Sequence, residues 1–351
     1  MTTMNRRLAA AAAMLPLIAF VAPGAMAQPG RGAAPTEPVE ELNPVHIDEW
    51  PTPWQGRGRD PYAAGPDEIW FVGQQGHYLG RFTPSTEAFL RVALPDGTGP
   101  HNNIVQSNGL VWYSGNRVGN IGTYDPKTER FTIIEMPDPE ANRDPHTLVF
   151  DDSEEHIWFT VQNGNKIGRL TLADHKVEIV PVPTPNARPY GIRIAPDGTP
   201  WIVLLGTNKL AKMDPETLAL TEIEIPWADA RPRRLEITSD GRIWYADFGR
   251  GPLGLYDPAT QRFAEFALPG GAGARPYGTA MDELDRVWVV ATGPQPNVFV
   301  GFDTAREEIV SITAIPSGAR SVRHMDYEEQ TGSVWFGTDT DMIGRALVRP
   351  K

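Results

Sequence analysis

The sequence predicts an all-β fold: a seven-bladed β-propeller with four antiparallel strands per blade, the last blade closed by the N-terminal strand. Three observations carry the prediction. Tryptophans recur at Trp70, Trp112, Trp158, Trp201, Trp244, Trp288 and Trp335, at spacings of 42, 46, 43, 43, 44 and 47 residues. Each copy follows one template, clearest in the fourth, where RPYGIRIAPDG, TPWIVLL, NKLAKMDPET and LALTEIEIP follow one another. These read as four short strands separated by turns with Pro, Gly, Asn or Asp where tight backbone angles are needed. Four strands in a unit of about 40–50 residues is a propeller blade, and no 3.6-residue apolar period suggests helices instead. The chain ends supply the third observation. The seventh copy stops at MIGRALVRPK after three strands, while VHIDEWPTP, from Val45 to Pro53, matches the fourth strands of other copies. Borrowing that strand closes the ring and removes an exposed sheet edge.

Taken in order, residues 1–27 read as a signal peptide. Arg6 and Arg7 precede an apolar run from Leu8 to Val21, and Ala25-Met26-Ala27 supplies a small-x-small cleavage site. The alternative, an uncleaved anchor, sits poorly with Pro16, Pro23 and that site. Cleavage leaves 351 − 27 = 324 residues and, with two arginines gone, a charge of −12 − 2 = −14. Residues 28–44, rich in Pro, Gly and Glu, read as a flexible linker, and residues 45–351 as the propeller. Nothing downstream approaches the ~20 apolar residues of a membrane helix. The expectation is a periplasmic or secreted soluble monomer with no membrane span after cleavage.

Composition excludes several classes. With no cysteine among 351 residues there is no disulfide framework, thiolate metal site or cysteine nucleophile. An excess of 44 Asp and Glu over 32 Lys and Arg argues against nucleic acid as a partner. Within the repeat, the seven tryptophans are second-strand core residues rather than ligand platforms.

Chain direction places two sets of side chains around one mouth of the central channel. The first is the strand-one starter set: Tyr62, His101, His146, Tyr190, Arg233, Tyr277 and, aligned less closely, Arg323. The second follows the tryptophans by three or four residues and includes Gln74, Asn116, Gln162, Leu205, Asp247 and Asp339. A small-molecule or peptide ligand is expected there, because this mouth is concave, polar and convergent. The opposite face carries the PDG and DPET turns, whose composition turn geometry explains.

The recurring x-P-[HY]-G-I, W-F-T and N-K-I-G-R-L-T patterns, strongest in GNKIGRLT at Gly164–Thr171 and TPNARPYGI at Thr184–Ile192, resemble the streptogramin B lyases, also called virginiamycin B lyases. The resemblance covers essentially the whole mature chain. It implies a seven-bladed propeller and Mg²⁺-dependent opening of a lactone-linked cyclic depsipeptide by elimination. The family pattern has a substrate-binding histidine at one strand-one start. The next blade carries Glu-Pro-His, whose histidine accepts the proton, and a glutamate four residues after its tryptophan; the two glutamates hold Mg²⁺. Carried over, the resemblance implies His101 in GPHNN as substrate contact, His146 as catalytic base, and Asp144 and Gln162 as metal ligands. Two residues depart from the pattern: Asp replaces Glu at 144 and neutral Gln replaces an acid at 162. These blades also lie earlier in the chain than the family places them, so the match needs a rotated blade order.

The chemistry this implies is coherent. A neutral imidazole, with an ordinary pKa near ~6.5, can take a proton from carbon next to a carbonyl. A Mg²⁺ ion on that carbonyl stabilises the enolate, and it asks for hard oxygen ligands. Of the arginines at strand-one starts, Arg188, Arg231 and Arg275 recur at one template position and read as structural. Arg233 and Arg323 replace Tyr or His at the mouth and are candidates for holding an anionic ligand. Asp247 and Asp339 read as loop acids, with a metal role across the channel as the alternative. His46, His77, His156, His175 and His324 read as structural or exposed. Three functions stay open: a lyase acting through His146 and a divalent cation; a non-catalytic propeller binding a ligand or partner protein at the same mouth; and a Ca²⁺-dependent lactone hydrolase, for which channel carboxylates are few.

Overall fold

Short strands, each ended by a turn-forming pair or triplet, leave the chain only one economical way to bury its apolar alternation, which is to stack four-stranded sheets around an axis. The computed structural model describes residues 39–349 except 139, 140 and 142, all within the compact unit Thr36–Lys351. The signal sequence and most of the linker lie outside the described residues. Seven four-stranded antiparallel sheets are present, six of them built in strict chain order. Blade one begins with Gly58–Gly65, blade two with Asn103–Val105 and blade three with Pro145–Phe150. Blades four to seven begin with Pro189–Ile194, Pro232–Ile237, Pro276–Met281 and Val322–Glu328. The seventh sheet takes its outer strand from His46–Pro51, which pairs antiparallel with Met342–Leu347, Trp50 opposite Ile343. The closure read from the two chain ends is therefore the one observed. The only helical segment among the described residues is a single 3₁₀ turn at Gly271–Gly273, and no described helix is long and apolar enough to cross a membrane.

The repeat motif now has a physical account. All seven template tryptophans lie on second strands and are at most 5% exposed. In Trp-Phe…Ile-Gly-Arg, the residue after the tryptophan and the glycine of the third strand are cross-strand partners, as Phe159 is to Gly168 and Phe71 to Gly80. A side chain at either glycine would overlap the facing ring. The following basic residue lies over the tryptophan: Arg81, Arg169 and Arg345 sit 5.5–5.8 Å from the rings of Trp70, Trp158 and Trp335. These three tryptophans are thus buried beneath their own blades' cations.

The linker was expected to reach Pro44, but its described end is held to the protein. Leu42 exchanges both backbone hydrogen bonds with Ile312, the Asn43 amide donates to the Val310 carbonyl, and Glu41 accepts from the Ala314 N–H. Pairing to the outer strand of blade six begins before the propeller's first full strand.

Candidate functional site

Six of the seven first strands are broken near their start. In blades one and three to seven the pairing register shifts just after the strand-opening residues, between Pro145 and Leu148 in blade three, for example. A β-bulge frees side chains from the alternation of the pleat and re-aims them. Register with the second strand then fixes two rings, one residue from each blade. The ring at the start of the strands consists of Arg59, His101, His146, Tyr190, Arg233, Tyr277 and Arg323. Three residues further along, opposite the tryptophans, lie Tyr62, Ile104, Val149, Arg193, Glu236, Ala280 and Asp326.

This corrects one reading. Tyr62 pairs with Trp70 and belongs to the second ring, at the other end of the channel. Its place among the starters is taken by Arg59, because the bulge of blade one falls between Arg59 and Tyr62. Arg323 does hold the starter position of blade seven.

The structure brings the remaining predicted residues together. The His101 and His146 rings are 3.6 Å apart, and His146 is 4.1 Å from Tyr190. Tyr190 and Tyr277 share a short hydroxyl–hydroxyl hydrogen bond. The Arg233 guanidinium lies 3.7 Å over Tyr277 and 5.1 Å over Tyr190, and Arg323 is 5.7 Å from Tyr277. His146 is 1% and His101 5% exposed, whereas Arg233 and Arg323 are half-buried, the former over the rings of Tyr190, Tyr277 and Phe248.

Beneath the ring lies a network the sequence reading did not assign. Arg234 crosses the channel, donating to Thr147 Oγ1 of blade three at 3.0 Å, to the Arg323 carbonyl at 3.1 Å and to Asp60 of blade one at 3.4 Å. Asp60 also accepts from Arg59 Nε at 2.7 Å, and its second oxygen is 3.9 Å from His101 Nδ1. Thr147 Oγ1 meets His146 Nδ1 at 2.9 Å. These residues share one signal: they follow a starter or stand in its place, and are polar where other blades have glycine. The second predicted set mostly holds the first. Gln74 accepts from Arg59, Asp339 takes Arg323 through both oxygens, and Asn116 donates to the Pro145 carbonyl. Asp247 accepts the Arg231, Gly249 and Arg250 N–H groups.

The electrostatics follow from burial under four guanidinium ions. His146 is held well below the ordinary imidazole value by burial and by Arg234, Arg59 and Arg233. His101 is lowered by burial, Arg59 and His146. Both are neutral at physiological pH, and His101 Nδ1, His146 Nε2, Arg59 Nη2 and Arg233 Nε are buried with no hydrogen-bond partner. Burial works against ionisation of Tyr277, yet Arg233, Arg59, Arg323 and Arg234 bring it down to about 8. Burial and the neighbouring Tyr277 push Tyr190 up.

These residues do not fit a divalent cation. Asp144 Oδ2 accepts the backbone and side-chain N–H groups of Asn163 and Oδ1 the Gly164 N–H, so its carboxylate closes a loop; burial pushes its pKa up. Gln162 is half-buried and brings no charge. Among the described residues no three His, Asp or Glu side chains are grouped to hold a metal. Four arginines beside the imidazoles oppose a second cation.

Of the two readings given for His324, structural or exposed, the structure makes it buried. It is 6% exposed and lines a cavity of about 340 Å³ at the opposite end of the channel, together with second-ring residues including Tyr62 and Asp326. That end is more than a layer of turns.

Comparison with known proteins adds the following. A family model described as the virginiamycin B lyase family matches residues 44–294. A virginiamycin B lyase from Staphylococcus aureus is similar in structure, with a TM-score of 0.76 at 20% identity, over 87% of this chain and 100% of that one. A streptogramin B lyase gives 0.77 at 22% identity over 88% and 99%. A catalytically inactive histidine-to-alanine variant of the Staphylococcus aureus lyase, with quinupristin, gives 0.77 at 20% identity over 87% and 100%. Likeness at this identity shows the fold. No curated protein matches the chain.

Proposed function

The chain belongs to the virginiamycin B lyase family, and from that premise we propose that it is an exported lyase that opens an ester-linked cyclic peptide, or a related small ester, by elimination at the arginine-lined mouth. The observation that carries this reading is the buried, neutral His146, whose unpartnered Nε2 stands among four guanidinium ions. Two features of the relatives support it: the Staphylococcus aureus enzyme is inactive when a histidine is replaced, and it was captured with quinupristin.

In the proposed step, His146 Nε2 takes the proton from the carbon next to a carbonyl. The released electron pair forms a double bond to the neighbouring carbon. The bond from that carbon to the ester oxygen breaks, and its electrons leave on a carboxylate. A neutral ester thereby becomes an anion, and Arg233 and Arg323 are placed to receive it, since guanidinium ions match carboxylates in charge and shape. The electrostatic work that a metal ion would do thus falls to arginine, and the proton returns from the imidazolium to solvent as the product leaves. Thr147 and Arg234 fix the ring through Nδ1, and His101 packs the other imidazole against it as a substrate contact. The same positive field keeps His146 a weak base until a substrate oxygen engages the arginines. Because the imidazole is buried, binding requires side chains at the mouth to move aside.

The test is to incubate the mature chain with quinupristin, with and without a chelator, and to weigh the product. Ring opening without change of mass, insensitive to chelator and lost in His146→Ala, is the expected result. A product heavier by one water would make the protein a hydrolase. Absence of turnover alongside saturable binding of a peptide carboxylate would make the mouth a receptor, the reading that its close cover favours.

A further inference from the structure

The opposite end of the channel has a chemistry that elimination does not use. Its cavity, about 340 Å³, is lined by the aromatic side chains of Tyr62, Phe150 and Tyr327 and by Asp326, Glu236 and His324. The only strong cation among its walls, Arg193, is already neutralised. Its Nε and Nη2 meet the two oxygens of Glu236 at 3.0 Å, and the Thr279 hydroxyl donates to Glu236 as well. Asp326 has no such cation. One of its oxygens accepts the Ala63 N–H at 2.7 Å, and among the described residues no side chain is hydrogen-bonded to it. Beside it His324 is more than nine-tenths buried and its Nδ1 has no partner. Burial, with Arg234, Arg193 and Arg59 nearby, holds that imidazole neutral, so Nδ1 is able to accept a hydrogen bond.

We propose that this second cavity binds an organic ammonium ion, its N–H groups directed at Asp326 and His324 and its apolar body against Tyr62, Phe150 and Tyr327. An unpaired carboxylate and an unfilled acceptor call for a donor with positive charge. Tyrosine and phenylalanine walls favour the same occupant, because the faces of aromatic rings attract cations. An anion would have to displace Glu236 from both of its arginine bonds. A neutral alcohol would leave the carboxylate without a counter-ion.

The groups facing Asp326 set the pH dependence. Burial pushes its carboxyl up to about 7; the Ala63 N–H and Arg193 oppose the rise, while Glu236 and Glu328 add to it. Tyr62, held up by burial and by Asp326 itself, keeps its proton, and His324 stays uncharged. Asp326 changes charge near neutrality, so a cation binds more tightly as pH rises through 7.

Titration calorimetry on the mature protein with 2-phenylethylammonium, 2-phenylethanol and phenylacetate tests this. The ammonium should bind at least ~10-fold more tightly than the alcohol, the discrimination that a hydrogen bond to a charged group of about 1.5–3 kcal/mol provides. The preference should grow between pH 6 and pH 8. Asp326→Asn still offers an oxygen to the Ala63 N–H and should bring the ammonium down to the affinity of the alcohol, while His146→Ala should leave it unchanged. Equal binding of ammonium and alcohol, a preference for phenylacetate, no saturable binding of the ammonium, or an Asp326→Asn protein that binds as the parent does would each overturn the proposal. The result is independent of whether the other mouth is catalytic.

Discussion

The two ends of the channel are built by the same seven strands, three residues apart, and they carry opposite chemistry. At the strand starts stand Arg59, Arg233 and Arg323, with Arg234 crossing beneath them and neutral imidazoles between. At the other end Arg193 is consumed by Glu236, and Asp326 is left without a cation. Residues three apart on a regular strand face opposite sides of the sheet. The bulge between the two rings removes that constraint and lets both face the axis. Binding character in this fold is therefore set blade by blade at two positions, with no change to the packed tryptophan layer behind them.

The comparison breaks most sharply at His146. Its replacement by alanine should lower quinupristin turnover by about 10²–10⁴-fold, the range for losing a general base, while 2-phenylethylammonium binding at the far end stays as it was. Loss at both ends would mean the variant had damaged the shared strands. Asp60→Ala comes next, and its effect is on stability. Asp60 is fully buried and bonded to both Arg59 and Arg234. Removing it strands two buried guanidinium ions, which should cost about 3–5 kcal/mol in denaturant unfolding; a loss under 1 kcal/mol would show that water already reaches them. Arg233→Gln is milder. It should weaken inhibition by a peptide carboxylate by about 10-fold, as expected for one charge-assisted hydrogen bond, and leave the far end untouched. An unchanged inhibition constant would remove Arg233 from the carboxylate-binding role.

The architecture was fully legible in the sequence because it rests on local signals that repeat. Spacing, turn residues and the missing strand of the seventh copy each pointed to the same closed ring. The site was legible only where the repeat kept its register visible. His101, His146, Tyr190, Arg233, Tyr277 and Arg323 stand where the template puts them. Tyr62 does not, since in blade one the Pro-aromatic pair that marks the starter elsewhere, Pro61-Tyr62, lies past the bulge, three residues beyond Arg59. The network formed by Asp60, Thr147 and Arg234 is longer in range. Arg234 bonds to residues 87 and 174 positions away, and no local period encodes such contacts. The metal ligands implied by the family resemblance fail for a similar reason: only the folded loop reveals that Asp144 is spent on Asn163 and Gly164.

The smallest expected effect tests the field itself. Tyr277 ordinarily ionises at 10, and four arginines bring it to about 8 despite burial. A pKa lower in the folded chain than in the unfolded one means that folding favours the phenolate. The stabilisation is fully present above pH 10 and is lost as pH falls through 8. Between those values this group should make the protein more stable with rising pH, and ultraviolet absorbance should show one phenolate forming near pH 8. In Tyr277→Phe both the absorbance step and the rise in stability should disappear. The far end contributes a fall instead, since Asp326 is shifted upward to about 7. A carboxyl that prefers its proton in the folded state stabilises below its unfolded value near 3.8, and that contribution fades as pH climbs to 7. Stability that falls from pH 4 to 7 and recovers between 8 and 10, each limb erased by its own substitution, is the signature of two mouths of opposite sign; a single limb insensitive to Tyr277→Phe would mean that the guanidinium ions are screened and the positive mouth is weaker than its geometry implies.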